Sequence, residues 1–110
     1  MITEDYCSYE IAKLLKKKGF DERVSSFYPP GDIQRPTLQM AMKWIREMYD
    51  IYIDISIYVI TKNIVKYNIN VYYKKKENDS MYLGIHLTKE CSKYEEAVEA
   101  AIKYCLENLI

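Results

Sequence analysis

The sequence predicts an α+β fold: two N-terminal helices, a three-stranded antiparallel β-meander and a C-terminal helix packed on one sheet face, in the order α-α-β-β-β-α. Three observations lead there. Residues 51–60 read Ile-Tyr-Ile-Asp-Ile-Ser-Ile-Tyr-Val-Ile, with a large aliphatic side chain at every odd position. Residues 64–73 repeat the alternation, with Val65, Tyr67, Ile69, Val71 and Tyr73 set against Lys66, Asn68, Asn70 and Tyr72. Strand side chains point to alternate faces, so each segment is a strand with a core face and a solvent face. Other segments instead space their apolar residues by threes and fours, as helices lying on a core do.

The 110 residues suffice for one core of helices on a sheet, so 1–110 is read as a single domain. Hydrophobic and charged fractions of 49% and 29% are those of an ordinary globular chain. Sixteen basic and sixteen acidic residues cancel, so no global field draws nucleic acid or an anionic membrane. No run of about 18 apolar residues exists, so no membrane span is expected. The opening Met-Ile-Thr-Glu-Asp lacks the basic and apolar regions of a signal peptide. Cys7, Cys91 and Cys105 follow no disulfide or metal spacing, which fits a reducing cytoplasm. Tyrosine is the outlier, with 12 residues against two Phe and one Trp. Strands favour Tyr, and so do contact surfaces, because the ring is apolar and its tip polar.

The first helix is expected from Ser8 to Lys18. Ser8 is its N-cap, Cys7, Ile11, Leu14 and Leu15 make its apolar stripe, and Gly19 stops it. Lys16, Lys17 and Lys18 complement the negative helix end, which accounts for them without a nucleic-acid patch. Residues 20–36 allow two readings. Val24–Tyr28 and Ile33–Arg35 pair across the turn Pro29-Pro30-Gly31-Asp32, or the segment is an irregular loop over the helices. Thr37 caps a second helix, 37–50, whose core stripe is Leu38, Ala41, Met42, Ile45, Met48 and Tyr49. Met40 and Trp44 form a second apolar ridge, which either packs on the first helix or presents a homodimer interface.

The two long strands are joined by Thr61-Lys62-Asn63. A two-residue turn would pair core with solvent side chains, whereas a three-residue loop pairs Val59 with Val65 and Ile57 with Tyr67. Asn63 suits the left-handed position such a loop needs. After the polar connection 74–80, the alternation of Met81, Leu83, Ile85 and Leu87 gives a third strand. Ser92-Lys93-Tyr94-Glu95 reads as a capping box opening a last helix, 93–109. Tyr94, Val98, Ala101, Cys105 and Leu109 are its buried stripe.

Symmetric pairing about 74–80 places three rows on the solvent face: Tyr52–Tyr72–Tyr82, Asp54–Asn70–Gly84 and Ser56–Asn68–His86. Tyrosines beside small polar groups can grip a peptide or stack a base. The plainer role of such neighbours is to stabilise the sheet. Catalytic chemistry is not indicated. His86 and Cys91 are a weak nucleophile pair with no third group to orient the imidazole. One His and three scattered Cys do not make a zinc site. Three glycines do not make a phosphate loop. No cofactor, metal or catalytic residue is expected.

Helix 37–50, three strands and helix 93–109 follow the αβββα order of double-stranded RNA-binding domains. That resemblance stops at topology: the last helix starts Ser92-Lys93-Tyr94-Glu95-Glu96, acidic where such domains carry lysines. A second resemblance lies in three segments. They are Ser-Tyr-Glu-Ile-Ala-Lys-Leu-Leu-Lys-Lys-Lys-Gly-Phe (8–20), Pro-Thr-Leu-Gln-Met-Ala-Met-Lys-Trp-Ile-Arg-Glu (36–47) and Tyr-Glu-Glu-Ala-Val-Glu-Ala-Ala-Ile-Lys-Tyr-Cys-Leu-Glu-Asn-Leu-Ile (94–110). These segments resemble a family of small uncharacterised proteins from gut Bacteroides-type bacteria and their phages or prophages. The resemblance implies a cytoplasmic accessory protein of a phage or mobile element and supplies no site residues.

The functional expectation is a small non-enzymatic binding protein that contacts a host or phage macromolecule, a protein in the first instance, and modulates host functions or defence. Tyr52, Tyr72, Tyr82, Asn68, Asn70 and His86 are the expected contacts, with Met40 and Trp44 as an interface between copies. The alternative is a nucleotide- or nucleic-acid-binding module using the same tyrosines with Lys66 and Lys74–Lys76.

Overall fold

Matching odd with odd positions across a three-residue loop sets the register expected of the central hairpin, and a computed structural model has it. The structure describes residues 5–59, 61–62, 65–74, 81–90 and 93–110. Strands β3 (Ile51–Val59) and β4 (Val65–Lys74) pair antiparallel with Val59 opposite Val65 and Ile57 opposite Tyr67. Asn63 lies outside the described residues, as does the Ser92 of the expected capping box. Strand β5 (Met81–Glu90) adds to β4, giving the sheet order β3-β4-β5.

The outer pairing differs from symmetric expectation. Asn70 faces His86 and Asn68 faces Thr88, two residues along from the expected partners. A shift between Val71 and Tyr72 then sets Tyr72 opposite Leu83 and Tyr73 opposite Tyr82. Such a shift is a β-bulge, in which one strand carries an extra residue. Gly84 is that residue, and the Tyr73 ring occupies the space its Cβ would take.

Ahead of the sheet come α1 (Tyr9–Lys17), the short hairpin β1 (Phe27–Tyr28) and β2 (Ile33–Gln34), and α2 (Leu38–Tyr49). The element order is therefore α-β-β-α-β-β-β-α, an α+β fold with a two-stranded sheet between the first two helices. The 20–36 segment takes the hairpin form, shorter than expected. Its turn closes with Gly31 N–H donating to the Tyr28 carbonyl at 2.7 Å.

The N-caps predicted at Ser8 and Thr37 form. The Ser8 hydroxyl accepts from Ile11 N–H at 3.3 Å and the Thr37 hydroxyl from Met40 N–H at 3.1 Å, each satisfying an orphan amide. Helix α1 ends in a Schellman motif: Phe20 N–H reaches the Leu15 carbonyl and Gly19 N–H the Lys16 carbonyl. Gly19 supplies the positive φ this needs, at 95°. Helix α3 (Tyr94–Asn108) starts from Lys93, which makes no side-chain cap. The Asp5 carboxyl is raised above its ordinary pKa by desolvation first, then by the charge and hydrogen bond of Glu95, with Lys93 opposing.

Helices α2 and α3 cover the odd-numbered face of the sheet, while α1 packs chiefly on α3 and β2. Ile51, Tyr67, Ile69 and Val71 join Ile11, Leu15, Leu38, Ala41, Ile45, Ala101, Ile102 and Leu106 in one core cluster. The molecule is thin, 44 × 42 × 22 Å. The sheet outruns its helices at one end, where Ile57 keeps 60% of its surface in solvent although it sits on the core face.

The α2 stripe is rotated from the expected one. Trp44 is buried, packed edge-on against Phe20 at 5.3 Å, whereas Met48 is 61% exposed. The apolar ridge is used inside the chain, which corrects the expectation of Trp44 as an interface between copies; Met40 is half-buried beside it. On α3, Tyr94 is exposed at 42%, and Ala97, Ile102 and Leu106 complete the buried stripe.

Candidate functional site

The helices leave the even-numbered face of β3–β5 open. Strand alternation aims Tyr52, Asp54, Ser56 and Tyr58 away from the core, and all four are exposed. Asn68, Asn70 and Tyr72 sit half-buried between the flanking strands, with His86 and Thr88 exposed on β5.

The register brings these side chains into rows. Asp54, Asn70 and His86 lie side by side across the three strands, and so do Ser56, Asn68 and Thr88. His86 Nδ1 is 2.5 Å from Asn70 Oδ1, so the ring nitrogen donates and the amide oxygen accepts. Thr88 Oγ1 donates to Asn68 Oδ1 at 3.0 Å. These two bonds fix the orientation of both asparagine amides. A flat polar strip results, bordered by Tyr52 and Tyr72 at one end and Tyr58 at the other.

Of the expected contacts, Tyr52, Tyr72, Asn68, Asn70 and His86 share this face. Tyr82 is not opposite Tyr72: the bulge at Gly84 shifts the register, so that Tyr72 pairs with Leu83 and Tyr73 with Tyr82. Thr88 and Tyr58 belong to the strip although the sequence did not single them out. Strand β5 runs to Glu90, past the expected end at Leu87, which is what carries Thr88 opposite Asn68. Alternation alone extends through Thr88, and that was the signal available.

The two described thiols, Cys7 and Cys105, are buried. Burial pushes Cys7 up to about 12, with the Glu99 carboxylate adding to it, and burial likewise pushes Cys105 to about 12. Both are protonated at neutral pH and shielded from substrate. Cys91, weighed with His86 as a weak nucleophile pair, lies outside the described residues. Among the described residues no three His, Cys, Asp or Glu side chains gather to hold a metal ion, and no helix is long and apolar enough to cross a membrane.

No family model, curated protein or solved structure matches the chain.

Proposed function

We propose that the chain is a small non-enzymatic binding protein of phage or prophage type, which acts in the bacterial cytoplasm by docking a protein partner on the open face of its β3–β5 sheet. One observation carries this reading: an exposed polar strip, pre-ordered by the His86–Asn70 and Thr88–Asn68 bonds, is flanked by tyrosines at both ends. Tyrosine gives contact area at low entropic cost, and it is enriched at protein interfaces. Side chains fixed before binding lose little freedom on docking. A protein partner fits better than nucleic acid because the strip includes the acidic Asp54 and the chain has no net charge.

Capture from host lysate, wild type against Tyr52→Ala plus Tyr72→Ala, tests it. The double variant should lose the partner that wild type retains, while Lys13→Ala on α1 retains it. A partner held equally by the double variant overturns the assignment of this face.

A further inference from the structure

A second site lies away from the sheet, where the chain entering α1, the 23–25 loop and the start of α2 enclose a cleft of about 520 Å3. That is the size of a small-molecule pocket. None of its lining residues belongs to β3–β5. Two arginines, Arg23 and Arg35, line it together with Ser25 and Tyr6, and no Asp or Glu does.

Arg35 is the organising residue. Its guanidinium lies 4.2 Å from the Tyr6 ring centre and 5.5 Å from that of Tyr28. Cation–π attraction on both sides holds such a group in place without neutralising it. The rings are themselves anchored. Tyr6 pairs with Thr37 in an antiparallel bridge, and the Tyr28 hydroxyl donates to the Cys7 carbonyl. The Arg35 side chain donates to Ser26 Oγ at 3.4 Å, and its Nε is buried with no hydrogen-bond partner. Among the described residues no carboxylate pairs with Arg23 or Arg35. With no carboxylate against it among the described residues, this positioned guanidinium keeps its charge for an anion in the cleft.

We propose that this cleft binds a small phosphomonoester carrying an apolar or aromatic body. The Arg35 fork matches two oxygens of an oxyanion. Arg23 supplies the second charge of a dianion, and the Ser25 hydroxyl can donate from another direction. Two guanidinium groups and a hydroxyl on one wall suit a dianionic phosphoryl group better than a singly charged carboxylate. The cleft also borders Thr37 at the start of the 12-residue helix α2, whose positive end favours an anion. Val24 and Met40 give the remaining wall an apolar character, and the volume leaves room beyond a phosphate for the body attached to it.

The test is an amide chemical-shift titration of the full chain at pH 7.5 and 150 mM chloride with phenyl phosphate. Inorganic phosphate, benzoate and phenol are the comparison probes. Saturable shifts confined to residues 5–7, 23–26 and 35–40 are expected, with a Kd of about 1 mM or below. Inorganic phosphate and benzoate should each bind at least about tenfold more weakly, and phenol not measurably. Arg23→Gln, on an exposed loop, should weaken phenyl phosphate about tenfold with an unchanged melting temperature. Arg35→Lys, which keeps the charge but not the fork, should weaken it as well. Non-saturating or scattered shifts, equal affinity for benzoate, or wild-type affinity in folded Arg23→Gln would each overturn the proposal. Binding at the sheet face is read on other residues, so the two assignments stand or fall separately.

Discussion

The ring of Tyr73 covers Gly84 so closely that a Cβ on the glycine would fall among the ring atoms Cδ1, Cε1 and Cζ. The bulge that shifts β5 against β4 therefore has a glycine at its centre for steric reasons, and a large aromatic lies over the gap. Gly84→Ala should cost about 1–3 kcal/mol, the usual range for forcing a methyl group into filled space. Urea unfolding would show it as a lower midpoint at constant slope. In a Tyr73→Ala background the same change should cost markedly less, because the obstructing ring is gone. Equal costs in the two backgrounds would mean that the ring does not set the bulge.

Trp44 and Met48 exchange the roles that spacing alone assigns them. Trp44 keeps only 6% of its surface and meets Phe20 and Tyr49 edge-on, at 5.3 and 5.4 Å. Trp44→Ala should cost about 3–5 kcal/mol, a large part of the stability of a domain this size. Met48→Ala should stay within about 0.5 kcal/mol of wild type, as surface changes do. Thermal melts of both variants decide it, and comparable losses would restore the expected stripe.

The contrast shows what a local reading reaches. The β3–β4 register was legible because a one-residue slip would turn a whole strand inside out, and the short Thr61-Lys62-Asn63 connection selects the odd-with-odd pairing of Ile57 with Tyr67. Ser8, Thr37 and Gly19 were legible because caps act within four residues. The β4–β5 register was not, since a two-residue slip preserves facing and the choice rests on the Tyr73–Gly84 contact across strands. Nor was the face of α2. A helix apolar on two sides is oriented by whatever lies over it, and Phe20 arrives from another segment. The Arg35 cleft was illegible for the same reason: Tyr6, Tyr28 and Arg35 meet only once the 5–7 segment pairs with 36–38.

The His86–Asn70 bond should appear as an energetic coupling and not merely as two tolerated surface residues. The atoms are 2.5 Å apart on neighbouring strands. A double-mutant cycle of His86→Ala and Asn70→Ala should give a coupling of about 0.5–1.5 kcal/mol, the net worth of one hydrogen bond. The cycle Ser56→Ala with Asn70→Ala should give close to zero, because these residues sit in different rows. A zero coupling for the first cycle would mean that the strip is not pre-ordered.

The buried thiols should make the fold sensitive to alkali. Cys7 and Cys105 are raised from an ordinary value of 9.0 to about 12 by burial, assisted at Cys7 by the Glu99 charge. A raised pKa means that the folded chain keeps protons the unfolded chain has released. The stabilisation is then complete below pH 9 and lost as pH climbs toward 12. Between those limits each thiol should remove about 1.4 kcal/mol of stability per pH unit. Denaturant midpoints measured from pH 8 to 11 should fall accordingly, and less steeply in Cys7→Ala plus Cys105→Ala. Thiol labelling at pH 8 gives an independent readout: both cysteines should resist a disulfide reagent in the folded chain and react at once in urea. Prompt labelling of either one under native conditions would place it outside the core.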